Sequence, residues 1–203
     1  IKKARPLIVE KLKQKGLLER IDEHYTHTVH LCYKCDTPIE PQIKPQWFIR
    51  MQPLAERAIK AIEGDKVIFL PDYYKKIVLH WLNTIVDWNI SRQIVWGIPI
   101  PALLCDQCED GVVDLDGSIT ACPRCGGALR RDPDTFDTWF SSGQWPFAAL
   151  GYPDSNDFKT FFPTDVLETA GEIIFFWVAR MIMLSLYVTG NVPFRTVYLH
   201  GLV

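Results

Sequence analysis

The chain has 203 residues, 48% hydrophobic and 23% charged, so a buried core is expected and disorder is not. A net charge of -2 exerts no global pull on nucleic acid. The six cysteines fall into three Cys-x-x-Cys pairs, Cys32/Cys35, Cys105/Cys108 and Cys122/Cys125. With no secretory leader expected, that pattern points to metal ligands in a reducing cytoplasm rather than to disulfides.

In chain order, residues 4–18 read as an amphipathic helix, with Ile8, Leu12 and Lys15 on one face, Val9 beside them and Gly16 as a stop. Its basic residues, Lys2, Lys3, Arg5, Lys11, Lys13 and Lys15, suit a solvated face or an RNA-facing patch. Alternating Thr, Val and His over residues 25–31 predict a strand, followed by the turn Cys32-Tyr33-Lys34-Cys35 and an extended piece over 39–43. A short strand is expected over 45–49, a helix from Pro53 to about 62, a strand over 67–70 stopped by Pro71, and helical stretches over 73–81 and 82–87. Ile98-Pro99-Ile100-Pro101 forces extended backbone, because the residue before a proline is pushed out of the helical region. The last third reads as strand 165–169, helix 172–188 and strand 196–200, a right-handed βαβ unit with parallel strands. Residues 173–188 are apolar, but the run is short for a membrane span and carries Arg180 in its middle, so a buried core helix is expected and no membrane. The chain stops directly after a strand, which suggests a piece of a longer protein with an exposed sheet edge.

Cys105-x-x-Cys108, thirteen residues and Cys122-x-x-Cys125 form the strongest local signal. Two such knuckles place four thiolates tetrahedrally around a structural Zn²⁺, a closed site that staples a segment too small to own a core. Gly126 and Gly127 suit the turn after the second knuckle, and residues 111–120 have the length of a hairpin. Cys32/Cys35 is half of such a site. Either His24, His27 and His30 complete it, or its partners lie outside the chain.

Asp87-Trp88-Asn89-Ile90-Ser91-Arg92-Gln93, followed by Trp96-Gly97 and Ile98-Pro99-Ile100-Pro101, resembles the valyl/isoleucyl/leucyl group of class I aminoacyl-tRNA synthetases. So do Asp137-Thr138-Trp139-Phe140-Ser141-Ser142 with Trp145-Pro146, the run Ile173 through Met181, and the final Leu199-His200-Gly201-Leu202-Val203. The resemblance covers essentially the whole chain and lies nearer the valyl branch than the isoleucyl one, which typically reads Asp-Val-Trp-Phe-Asp-Ser where this chain has residues 137–142. It implies a partial Rossmann-like domain, the second half of a nucleotide-binding α/β fold, with an inserted zinc ribbon. The expected segments are 1–44, the end of an editing domain and a stem with the Cys32/Cys35 knuckle; 45–104, a catalytic segment; 105–130, the ribbon; and 131–203, the Rossmann-like half. It also implies that the His-Ile-Gly-His and Lys-Met-Ser-Lys-Ser signatures lie beyond the two ends, and that Cys32/Cys35 pairs with cysteines preceding the editing domain.

The implied chemistry is activation of valine with ATP and Mg²⁺, then transfer to tRNA(Val). The resemblance makes Trp96 and Trp139 walls of the amino-acid pocket, where core packing is the plainer alternative. It assigns Thr169, Ala170, Gly171, Glu172, His200 and Gly201 to the ATP side, at the carboxyl ends of parallel strands. Glu172 stands where relatives usually carry an aspartate after a glycine, and a helix N-terminal acid favoured by the macrodipole is its other reading. His200 and Gly201 have strand-end packing as theirs. Tyr73, Tyr74, Lys75 and Lys76 face either the tRNA acceptor end or solvent. Without the nucleotide signatures, the chain alone is expected to be inactive. A free-standing zinc-ribbon RNA-binding module is the competing reading.

Overall fold

A computed structural model describes residues 4–33 and 35–201. Lys2, Lys3, Lys34, Leu202 and Val203 lie outside the described residues. The chain divides into two compact units, residues 1–45 and 46–203.

In the first unit, α1 (Ala4–Gln14) carries no buried residue, and Val9 and Leu12 are only half-buried. The strand expected over 25–31 does not form. A strand needs a ladder, and here a single bridge, Leu31 to Pro38, closes the turn around Cys32 and Cys35. Within it the Cys32 N–H donates to the Thr37 carbonyl, and the Asp36 N–H to the Cys32 carbonyl, both at 2.9 Å.

The second unit opens with β1 (Phe48–Ile49) and α2 (Gln52–Glu63), which carries Pro53 in its first turn, where a missing N–H costs nothing. Leu54, Ala55, Ala58, Ala61 and Ile62 recur at helical spacing and are all buried. β2 (Ile68–Leu70) leads into α3 (Tyr73–Asn83), which buries Val78 and Leu82. The helix stops at Asn83, so the expected helical stretch over 84–87 is absent. The Asp87 carboxylate instead accepts from the Met51 N–H at 3.1 Å, holding an extended entry into β3 (Trp88–Asn89) and β4 (Ser91–Arg92). β3 pairs with β1.

The cysteine module consists of β5 (Ala102–Cys105), β6 (Gly111–Val113) and β7 (Leu129–Arg131), an antiparallel sheet in the order β6-β5-β7. The hairpin therefore joins β5 to β6 around the first knuckle, and residues 111–120 do not form one themselves. Trp47, the residue before β1, fastens the module. Its indole N–H donates to Asp132 at 2.6 Å, and a Cβ on Gly111 would strike its ring.

β8 (Thr135–Phe136) pairs with β4 and leads through Asp137 into the short helices α4 (Thr138–Ser142), α5 (Trp145–Ala148) and α6 (Asn156–Phe161). β9 (Thr164–Ala170) and β10 (Phe194–His200) flank the expected buried helix. That helix is not one regular coil. A 3₁₀ turn over Gly171–Ile173 passes into a π turn over Ile174–Val178 and then into α7 (Ala179–Val188). By length and composition it could cross a membrane, yet Met181, Ile182 and Met183 are at most 1% exposed inside the core.

The sheet is parallel, in the order β2-β10-β9. One face, with Phe69, Leu167, Val197 and Leu199, packs into a core shared with α2, α3 and α7. The opposite face leaves Ile68, Leu70, Val166 and Tyr198 each about half exposed. Residues 46–104 and 131–200 thus share one core, and the ribbon lies between them in sequence.

Candidate functional site

Asp137 organises the polar centre. It is 4% exposed and caps α4 by accepting the Trp139 N–H at 3.2 Å. Its other oxygen accepts from the Trp88 indole N–H at 2.9 Å and from Arg92 at 2.7 Å, and lies 3.8 Å from Arg180. The Arg180 guanidinium lies 3.7 Å over the Trp88 ring. Burial holds its pKa down to about 10, against the pull of Asp137. Among the described residues, its Nε and Nη1 have no hydrogen-bond partner. The ion pair and the ring face are its compensation.

The π turn aims three successive aromatic rings at three places. Phe175 stacks on Trp81 at 5.2 Å, Phe176 on Trp139 at 5.7 Å, and the Trp177 indole N–H donates to the Ser142 carbonyl at 3.1 Å. Trp139 is thus half-buried in an aromatic wall with Phe176, and Trp177 holds the far end of its helix. Trp96 is 92% exposed and stacks on no ring among the described residues. Sequence reasoning paired Trp139 with Trp96. The structure instead brings Phe176 and Trp177 to α4, and periodicity gives no sign of a π turn.

At the sheet's carboxyl edge the parallel register sets Leu199 beside Thr169 and His200 beside Ala170, so the six residues assigned to the nucleotide side do come together. Thr169 is buried, Glu172 is exposed, and His200 Nε2 lies 3.0 Å from Glu168 while its Nδ1 faces the Gly201 carbonyl. A further residue joins them. A Cβ on Gly171 would run into the Tyr74 hydroxyl, so this glycine is needed for close approach. Tyr74 lies in the first turn of α3, just after β2 ends, at the same edge. A strand ending at a proline and followed by a helix start was the signal that could have placed it there.

The sulfurs of Cys105, Cys108, Cys122 and Cys125 all lie within 4.8 Å of one another. Cys105–Cys125 is 3.5 Å and Cys108–Cys122 3.6 Å. Tetrahedral thiolates about 2.3 Å from Zn²⁺ would stand about 3.8 Å apart, so the set fits such an ion. Backbone N–H groups of Cys108 and Gln107 draw Cys105 down to about 6. Against the pull of the Gly127 N–H, the sulfurs of Cys105 and Cys108 push Cys125 up to about 12. Four such neighbours ionise together only around a cation. Among the described residues, Cys32 and Cys35 join no cluster of three metal-ligating side chains.

A parallel sheet with an open carboxyl edge, an aromatic wall beside it and an inserted four-cysteine ribbon define a nucleotide-binding α/β domain of the Rossmann-like class. The family model for tRNA synthetases class I (I, L, M and V) matches residues 8–122 and 119–203, and the chain belongs to that family. Among curated proteins, the valine–tRNA ligase of Petrotoga mobilis is 50% identical over 202 residues, 98% of this chain and 23% of that protein. The valine–tRNA ligase of Symbiobacterium thermophilum is 50% identical over 198 residues, 97% of this chain and 22% of its own. The chain thus spans less than a quarter of these relatives' length. A crystal structure of Mycobacterium tuberculosis methionyl-tRNA synthetase bound by methionyl-adenylate superposes with a TM-score of 0.56 at 17% identity, covering 85% of this chain and 29% of that one. At that identity the likeness concerns the fold.

Proposed function

We propose that this chain is the part of a valine–tRNA ligase that walls the amino-acid pocket and forms one side of the ATP site. The observation that carries the reading is the half-identical match to valine–tRNA ligases along nearly the whole chain. The parent enzyme activates valine with ATP and Mg²⁺ to valyl-adenylate and pyrophosphate, then passes the valyl group to tRNA(Val) in the cytoplasm. This chain's share of that work is positioning. Trp139, backed by Phe176, forms a rigid wall that excludes side chains larger than valine, with Trp96 on its exposed bend as the outer wall. An apolar wall of this kind rejects threonine poorly, because the two side chains are nearly isosteric. Thr169, Ala170, Gly171, Glu172, His200 and Gly201 line the nucleotide side, where the Glu172 carboxylate can accept hydrogen bonds from ribose hydroxyls. Cys105, Cys108, Cys122 and Cys125 hold a structural Zn²⁺ whose four thiolates leave no open position for catalysis.

The test is ATP–pyrophosphate exchange. The full-length protein is expected to exchange in the presence of valine, and residues 1–203 alone are expected not to. Exchange supported by isoleucine but not by valine would overturn the reading. The free-standing ribbon loses its ground, because the buried core lies in α2, α3, α7 and the parallel sheet rather than in the ribbon.

A further inference from the structure

Arg180 is a buried cation with no task of its own in the ligase reading. Its side chain is 10% exposed, and two of its nitrogens lack a hydrogen-bond partner among the described residues. An apolar side chain of similar volume often serves stability as well as a buried ion pair does, so filling space does not account for a guanidinium here. Its contacts converge on the support of Trp139. Nη1 lies 3.8 Å from Asp137, the carboxylate that caps α4 on the Trp139 N–H. The guanidinium carbon stands 3.7 Å from the centroid of Trp88, whose indole N–H donates to that same carboxylate. It also stands 5.5 Å from the centroid of Phe176, whose ring stacks on Trp139. At the far end of α4, a Cβ on Gly143 would strike Leu184 and come within 3.6 Å of the Arg180 Cβ. The head of Arg180 therefore meets the start of α4 and the ring behind Trp139, and its stem meets the end of the same helix.

We infer that Arg180 is a positioning residue that fixes the depth of the amino-acid pocket: it locks Trp139 through Asp137 and Phe176, and so sets the discrimination of valine from isoleucine. A guanidinium over two ring faces and beside a carboxylate holds all three in one arrangement, whereas a flexible apolar chain lets the rings slide. Isoleucine exceeds valine by one methylene, which the position of the wall reads. Threonine matches valine in size and is told apart by polarity instead. A slackened wall therefore admits isoleucine and leaves the treatment of threonine as it was. Loss of Arg180 does not strand Asp137, which keeps Trp88 and Arg92. The inference rests on the ligase reading.

The experiment compares Arg180→Met, Arg180→Lys and Phe176→Leu in the full-length protein by pyrophosphate exchange with valine, isoleucine and threonine. For Arg180→Met, kcat/KM for valine relative to isoleucine is expected to fall about tenfold. The valine-to-threonine ratio and the KM for ATP are expected to stay within about twofold. Arg180→Lys keeps the charge but not the flat face, and its valine-to-isoleucine ratio is expected to lie between those of Arg180→Met and the unaltered protein. Phe176→Leu is expected to lower that ratio as Arg180→Met does, and combining the two to lower it little further, because both act on the same ring. An unchanged valine-to-isoleucine ratio in folded Arg180→Met, or an equal loss of exchange with all three amino acids, would overturn the inference. Should Arg180→Met fail to fold, an unchanged ratio in Arg180→Lys and Phe176→Leu overturns it in the same way. Absence of valine-dependent exchange in the unaltered protein would overturn the ligase reading itself.

Discussion

Asp137 joins four partners from three stretches of the sequence: the Trp139 N–H, the Trp88 indole and Arg92, and Arg180. Asp137→Ala removes a helix cap and strands a buried guanidinium, so it is expected to cost about 3 kcal/mol and to lower Tm by about 5–10 °C. Asp137→Asn keeps the cap through its one carbonyl oxygen but sets an NH₂ against the Trp88 indole and Arg92, so in the same melt it is expected to recover only the cap's share, about 1 kcal/mol. A second prediction at this scale concerns Gly171. Gly171→Ala presses a methyl on the Tyr74 hydroxyl and should destabilise by about 1–3 kcal/mol; adding Tyr74→Phe should recover part of the loss. The motif around Asp137 was legible in the sequence as a string of residue types. Its pairing with Arg180 was not, because no local pattern records which cation comes to rest near a buried carboxylate.

Among the elements, the ribbon was legible because chemistry dictates its spacing, and β9, the helix after it and β10 because a long apolar run between two β-rich runs has few other solutions. Short strands were harder. β3, β4 and β8 have two residues each and exist only through their partners. Residues 25–31 have strand-like alternation but no ladder, and stay irregular. For the ribbon, Cys122→Ser is expected to abolish metal binding, read by metal analysis, while the helical circular dichroism of the core persists. One metal per chain is the expected stoichiometry. Two would mean that the Cys32/Cys35 turn finds ligands of its own. Acid should release the ion. The Cys105 pKa is lowered to about 6, so its thiolate is present at pH 7 and is lost as the pH falls through that value. A bound cation competes with the proton for that sulfur, so retained metal should drop only below about pH 6.

At the scale of the molecule, the parallel sheet is covered on one face only. Ile68, Leu70, Val166 and Tyr198 stand about half exposed on the other, an arrangement that parallel sheets otherwise avoid. The isolated chain is therefore expected to bind a hydrophobic dye such as ANS and to self-associate on concentration, with both effects absent from the full-length protein. Dye binding of equal strength by the full-length protein would show that nothing covers this face. The sheet has a second consequence. β2 and β10 are adjacent strands whose paired residues lie roughly 130 positions apart, with the ribbon in the interval. Pairing β4 with β8 first would shorten the remaining loop to about 90 residues, which lowers the closure cost by only about 0.3 kcal/mol. Supplying zinc during refolding should therefore change the rate of sheet formation by less than about twofold. By the same arithmetic, lengthening or trimming the segment between these two strands hardly alters the entropy of joining them. This architecture can accept a new module at that point while the sheet beneath it folds much as before.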